Sequence, residues 1–197
     1  MEERKKNEPS GLRPARRFFS RYNDDVPFQI RPFKKADFDT LWRIDQACFD
    51  PQMAYSRAEM AYYLRRPGVF ALIAEARTSS AARTPATTDA TPTTGPGILG
   101  FIVAELRRQT GHIITIDVIV EARRLGVGSA LLLAAEDRLR EGGATAVALE
   151  TAVNNEAAIR FYKQKGYFVE KTIRAYYSNQ LDALLMTKEL VQSVTNP

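Results

Sequence analysis

Apolar positions recur along this chain in two periods, and the switches between them mark its elements. Phe38, Leu41, Trp42 and Asp45 to Phe49 fall at helical spacing, which predicts a helix with one buried stripe. Ser56-Arg57-Ala58-Glu59 has the form of a capping box and predicts a second helix to about Arg65, with FDPQMAY before it as a short apolar-aromatic loop. Strand-like runs follow in FALIAEA, over 98–106 and over 112–120. The period then becomes helical from 126 to 141 and stops at Gly142-Gly143. A strand over 144–150, a helix over 155–165 closed by Gly166, and strands over 167–174 and 182–189 complete the series. Strands and helices interleave without internal repeats, so the pattern predicts an α/β (α+β) mixed sheet with helices on both faces.

Two stretches lack either period. Residues 1–26 are dense in charge and predict a basic, disordered tail. Residues 78–97 are rich in Thr and Pro, a composition that buries too little apolar surface to offset the entropy of ordering. Lying between two strand-like runs, they read as an enlarged hairpin connection inside one domain of residues 27–190, with 191–197 as a second tail.

Composition narrows the class. At 197 residues with 45% hydrophobic and 26% charged positions, the chain has the make-up of one globular domain. Its single cysteine, Cys48, has no internal disulfide partner, and no Cys/His cluster offers a zinc site, so a reduced, cytoplasmic setting and no metal are expected. ARRFFSRYNDD resembles a twin-arginine export signal, but no apolar region follows it. No window reaches the about eighteen apolar residues of a membrane span. The net charge of +5 is a modest excess, compatible with a solvated surface or with contact to nucleic acid or the ribosome.

The candidate chemistry begins at Arg123-Arg124-Leu125-Gly126-Val127-Gly128-Ser129, directly after a strand and directly before a helix. A glycine turn at a helix N-terminus presents free backbone N–H groups and the positive end of the helix dipole, which suits a pyrophosphate. Arg123 and Arg124 would add charge-assisted bonds to phosphate oxygens. A Walker loop would need a lysine that is missing here, and a dinucleotide fingerprint would need a glycine where Leu131 stands.

Taken together, the strand, the R-x-x-G-x-G turn, the strand ending in Leu149-Glu150 and the segment NNEAAIRFY resemble the GCN5-related N-acetyltransferases over about residues 28–190. Glu150, Asn155, Tyr162, Ala175-Tyr176-Tyr177-Ser178 and Asp182-Ala183 resemble most the protein N-terminal acetyltransferases, particularly the bacterial enzymes that acetylate the N-terminal alanine of a ribosomal protein. That resemblance implies a mostly antiparallel sheet splayed between its fourth and fifth strands. It also implies acetyl-CoA in the gap, its pantetheine arm on the backbone of Ile116, Asp117 and Val118 and on Asn155, its pyrophosphate on Arg124 to Ser129.

The roles implied are Glu150 as the base for the acceptor amine, an N–H of Val118 for the oxyanion, and Tyr162 as the acid for the leaving thiolate. Phe49, Pro51, Tyr55, Tyr176 and Tyr177 would form an aromatic gate around a peptide N-terminus. On the residues alone, Glu150 is equally a solvated strand-end carboxylate, Tyr162 a core residue with a wet hydroxyl, Asn155 a helix cap, and the gate aromatics loop packing. His112 opens a strand and reads as structural, Asp117 stands where the family has a small or apolar residue, and Cys48 carries no sign of activation for an acetyl-enzyme. The expected function is acetyl transfer in a ternary complex to a protein N-terminal amine, with a ribosome contact through the basic tail. Acetylation of a small amine or a lysine, and a non-catalytic acyl-CoA-binding module, are the rival readings.

Overall fold

Seven strands form one sheet in the order β1-β2-β3-β4-β5-β7-β6. The structure, a computed structural model, describes residues 27–77, 97–178 and 180–190. The expected tails 1–26 and 191–197 and nearly all of the expected loop 78–97 lie outside the described residues. In chain order the elements are β1 (Phe28–Pro32), α1 (Phe38–Cys48), α2 (Arg57–Arg65), β2 (Val69–Ala76), β3 (Ile98–Arg107), β4 (Thr110–Val118), α3 (Val127–Glu141), β5 (Ala146–Ala152), α4 (Glu156–Gln164), β6 (Phe168–Ile173) and β7 (Ala183–Glu189). Every neighbouring pair is antiparallel except β4 and β5.

β1 was not among the expected strands. Its FQIRP does alternate, with Phe28 and Ile30 buried and Gln29 exposed, but five residues ending at a proline are too few for the period to stand out beside a charged tail.

The sheet separates two cores. On one face α3 inserts Leu131, Leu132, Ala135 and Leu139, and α4 inserts Tyr162, against Ile102, Ile113, Val147 and Leu149. On the other, Leu41 and Ile44 of α1 and Met60 of α2 pack on Ile73, Phe101 and Val103. A fully buried side chain of this size contributes about 2 kcal/mol, so both helix layers are fixed by their apolar stripes. Glu136, 2% exposed on α3, accepts from Lys188 Nζ at 2.6 Å and from Tyr167 Oη at 2.9 Å, which ties the helix to β7 with the buried charge paired.

The helix ends follow the local chemistry read from the sequence. Ser56 Oγ accepts from Glu59 N at 3.2 Å while Glu59 Oε2 accepts from Ser56 N at 2.9 Å, the reciprocal pair of a capping box. At the far end of α3, Gly143 N–H donates to Arg140 O at 3.0 Å and Ala144 N–H to Leu139 O at 2.9 Å, with Gly143 at φ 94°.

One irregularity shapes the functional half. Val103 of β3 faces Thr115 while Ala104 faces Ile113, so Ile114 is an extra residue that bulges β4. β4 pairs with β5 only over Thr110–Ile113 against Ala146–Leu149. From that bulge onward the two strands part. The strand expected to end at Glu150 therefore runs on to Ala152, because β7 continues to pair Glu150, Thr151 and Ala152 after β4 has left. The strand expected over 112–120 ends at Val118, where a short turn over Val120–Ala122 leads toward α3.

Candidate active site

Beyond Ile113 one edge of β4 is left without a strand partner. Ile119 N–H bonds Leu99 O at 3.0 Å, and backbone alternation then turns Ile116 and Val118 to the open side. Asp117, expected on the same free edge, faces the other way. A Cβ at Gly100 of β3 would lie 2.4 Å from the Asp117 carbonyl oxygen, and the Asp117 side chain, 1% exposed, shares the α1 face with its cross-strand partner Phe101. Two of the three residues expected on this edge thus present their backbones to the gap.

At the end of the gap Gly126 caps α3 with φ 84°, and nothing lies within 4 Å of where its Cβ would be. Gly128 sits against Phe161 of α4 and Val118 of β4, which joins the turn to both walls. Arg124, at φ 64°, and Leu125 are exposed on the turn. Arg123 behaves differently from the expectation: its guanidinium turns back to Val118 O at 3.1 Å and to Cys48 Sγ at 3.8 Å, away from the turn. Asn155 Oδ1 accepts from Ala158 N at 3.1 Å, so it caps α4. A groove of about 420 Å³ runs past Gly126 and Ser129 to Lys165 and Lys188.

Glu150 is the first residue of β5 past the last pairing with β4. Its Oε2 lies 2.7 Å from Nε2 of His112, which occupies the opposite strand beside Ala148. His112 Nδ1 is buried without a hydrogen-bond partner. An orphaned buried N–H is costlier than an orphaned lone pair, so the proton belongs on Nε2, donated to Glu150. His112, read as structural in the sequence, is therefore part of the site. The signal was available in the strand pairing: Ile113 opposite Leu149 puts His112 and Glu150 diagonally across one face. Tyr162 closes the gap from the α4 side at 6% exposure, its ring edge-on to Phe161 and Tyr167. Burial first, then the charge of Asp117, pushes its phenol above the ordinary tyrosine value.

Two loops meet over this pair. Ser178 Oγ, between β6 and β7, donates to Gln52 O, between α1 and α2, at 3.1 Å. Tyr176 and Tyr177 stand edge-to-face at 5.0 Å, and both phenols are pushed up by burial and by the charge of Glu150, Tyr176 to about 12. Tyr55 packs edge-on to Tyr63, and its hydroxyl is 3.5 Å from the carbonyl of the bulged Ile114. Phe49 is half-buried, while Pro51 is exposed on the outside of its turn.

Behind β4, Asp45 is fully buried and Asp117 nearly so, and the charge of Asp45 bears on Asp117. Thr115 Oγ1 lies 3.3 Å from both oxygens of Asp117, yet burial and the neighbouring Asp45 hold that carboxyl well above its ordinary range. Burial pushes Asp45 up to about 6, against the hydrogen bonds it accepts from Tyr55 and Gln46. An acid whose folded pKa exceeds its unfolded value binds its proton more tightly when folded. Asp45 therefore weighs against folding above about pH 6, and that weight is lifted as the pH falls toward 4. Asp45→Asn removes this titration but sets an amide NH2 where Oδ1 has no partner, so its stability is expected to change by about 1 kcal/mol less between pH 8 and pH 5 than that of the unchanged protein. Thermal melts at the two pH values check this.

Among the described residues, no group of three or more His, Cys, Asp and Glu side chains could hold a metal ion, and no helix is long and apolar enough to cross a membrane. The fold and the sequence have counterparts. The chain is 42% identical over 81 residues to the N-alpha-acetyltransferase of Sulfurisphaera tokodaii, a match covering 41% of this chain and 48% of that protein. It thus spans about half the length of that curated relative. Ard1 from Thermoplasma volcanium superposes with a TM-score of 0.69 at 27% identity, covering 84% of this chain and 99% of that one. The ribosomal-protein-S18-alanine N-acetyltransferase from Escherichia coli superposes at 0.66 with 20% identity, covering 86% and 98%, a likeness of fold. The model of the acetyltransferase (GNAT) family matches residues 38–167, the span that holds the bulged β4, the turn before α3, Glu150 and Tyr162, and the chain belongs to that family.

Proposed function

We propose that this protein is an N-acetyltransferase that moves acetyl from acetyl-CoA to the N-terminal α-amino group of a protein, both substrates being bound together. The observation that carries the acceptor side is the contact of Glu150 with His112 at the mouth of the gap, beneath two loops joined by Ser178 and Gln52. The name of the Sulfurisphaera relative, an N-alpha-acetyltransferase, supports an α-amine as the acceptor. A ribosomal protein as that acceptor, a ribosome contact through residues 1–26, and residues 27–190 as the catalytic domain belong to the same proposal.

The site's features fit a CoA thioester. The open backbone of Ile116 and Val118 offers a strand edge for the pantetheine amides, and Asn155 stands at the start of α4 on the other wall. The left-handed cap at Gly126 leaves space before the free N–H groups of Val127, Gly128 and Ser129, with Arg124 and Leu125 at its rim. Acetyl-CoA supplies the activated acetyl carbonyl.

The remaining work falls to side chains of this chain. An α-amine has a pKa near 7.7–8.0 and is mostly ammonium at neutral pH, so a group must take its proton. Glu150, held in place by His112, accepts it directly or through one water. The N–H of Val118 faces the developing oxyanion. Tyr162 keeps its phenolic proton, because burial disfavours the phenolate, until charge gathers on the departing sulfur, and then gives it up. Tyr55, Tyr176 and Tyr177, with Phe49 and Pro51 further out, border the route of the peptide.

Incubation with acetyl-CoA and peptides beginning with Ala, Ser or Met tests this directly. Acetyl is expected on the N-terminal residue by tandem mass spectrometry. Faster transfer to N-terminally blocked lysine peptides or to small amines at equal concentration would replace this acceptor with a side-chain or small-molecule one. Tight CoA binding with no transfer to any of them would leave a binding module.

A further inference from the structure

Three side chains of α1 hold a single residue of the acceptor loop. Trp42, Asp45 and Gln46 stand at i, i+3 and i+4, on one face of the helix. Trp42 Nε1 donates to Tyr55 O at 3.1 Å, and Gln46 Nε2 donates to the same oxygen at 2.9 Å. Tyr55 N–H donates in turn to Asp45 Oδ2 at 2.8 Å, and Gln46 Nε2 braces that oxygen at 3.1 Å. Both backbone groups of Tyr55 are thereby fixed at the point where the loop enters α2.

Much is committed to this grip. Asp45 is fully buried, its charge bears on another buried carboxyl, Asp117, and its Oδ1 has no hydrogen-bond partner. Arg57, ion-paired with Asp39, lies over the Trp42 ring at 4.9 Å and holds the indole from outside. A residue needed only to end a loop would not require a desolvated carboxylate, an indole N–H and an amide together. What the grip aims is the Tyr55 phenol, which reaches the carbonyl of Ile114, the bulged residue from which β4 and β5 part. One residue past the last β4–β5 pair on the facing strand stands Glu150.

We propose that Trp42, Asp45 and Gln46 form a positioning clamp which fixes Tyr55 against the β4 bulge and so sets the seat of the acceptor amine relative to Glu150. The clamp acts through Tyr55 and touches neither substrate. It rests on the acceptor side of the site being where the proposed function puts it. The donor is held elsewhere, on Ile116, Val118 and the turn before α3, so a loosened clamp separates acceptor from donor.

Two measurements on the full chain test it. Trp42 is the only tryptophan, so its emission reports the clamp in the absence of any substrate. Asp45→Ala is expected to shift that emission to the red and increase its quenching by acrylamide. In steady state, Asp45→Ala should raise the acceptor KM by roughly tenfold with kcat and acetyl-CoA affinity within about threefold, a loss of acceptor binding shared by ground state and transition state. Asp45→Asn keeps a carbonyl oxygen for the Tyr55 N–H and should return the KM to within about threefold of the original. Trp42→Phe should raise KM in the same direction. Equal losses in Asp45→Ala and Asp45→Asn, or an acetyl-CoA affinity that falls along with the acceptor's, would reduce the clamp to a structural feature and overturn the proposal. An unchanged Trp42 emission in Asp45→Ala overturns it as well, whatever the acceptor. If the unchanged protein transfers acetyl to no peptide or amine, the proposed function fails and the clamp's role fails with it. Normal transfer with an unchanged KM in the variants removes the clamp alone.

Discussion

On the proposed roles, Glu150→Gln is expected to lower kcat by roughly 10² to 10³ while leaving acetyl-CoA affinity in place, the size of the loss of one general base. Gln preserves the volume, and its carbonyl can still accept from His112 Nε2–H, which lies 2.7 Å from the carboxylate in the native chain. What disappears is the capacity to take a proton from the amine. His112→Ala should cost less, about tenfold, because it removes the orientation of Glu150 and leaves the carboxylate itself. Tyr162→Phe keeps the edge-on packing with Tyr167 and Phe161 and removes only the proton donor, so its loss should appear in kcat as well. The open edge of β4 and the turn before α3, where the proposal seats the donor, are untouched by all three changes. Steady-state kinetics at saturating peptide, with CoA binding by calorimetry as the control, checks the set. Losses no greater than about twofold in both Glu150→Gln and Tyr162→Phe would remove the acid–base assignment, since positioned acids and bases contribute far more than that.

The turn before α3 and the start of α4 were legible because their signals are local. A glycine pair between a strand and a helix, and an asparagine opening α4, depend on neighbours within a few residues, and the structure places Gly126 at the α3 cap and Asn155 at the α4 cap. The capping box at Ser56 and Glu59 was legible for the same reason. The surroundings of Glu150 depend on contacts between residues far apart in sequence. His112 and Glu150 are 38 positions apart, and Ser178 and Gln52 are 126 apart, distances over which periodicity carries no information. Asp117 shows the limit within one strand. Three consecutive strand residues cannot all present their backbones to one edge, and the extra residue at Ile114 decides which of them do. The contacts of Arg123 are equally non-local, since the carbonyl it bonds belongs to the end of β4 and the cysteine beside it to α1.

Gly100→Val is expected to destabilise the protein by about 3 kcal/mol, the scale of overpacking against atoms unable to move aside, and to weaken acetyl-CoA binding at the same time. A Cβ at this position of β3 would lie 2.4 Å from the carbonyl oxygen of Asp117 and 3.1 Å from Cα of Val118. Both are backbone atoms of β4, so relief requires the two strands to separate. They would separate where Gly100 faces Val118, the end of β4 that presents its other edge to the gap. The melting temperature should drop by roughly 10 °C, at about 2–4 °C per kcal/mol for a chain of this size. Gly126→Ala provides the contrast. No atom lies within 4 Å of its Cβ, so its cost is the left-handed backbone alone, about 1 kcal/mol. Thermal melts and CoA titration of the two variants separate crowding between strands from strain in a turn. A Gly100→Val protein that melts with the unchanged chain and binds acetyl-CoA equally well would mean that the close approach of β3 does not hold the open edge of β4 in place.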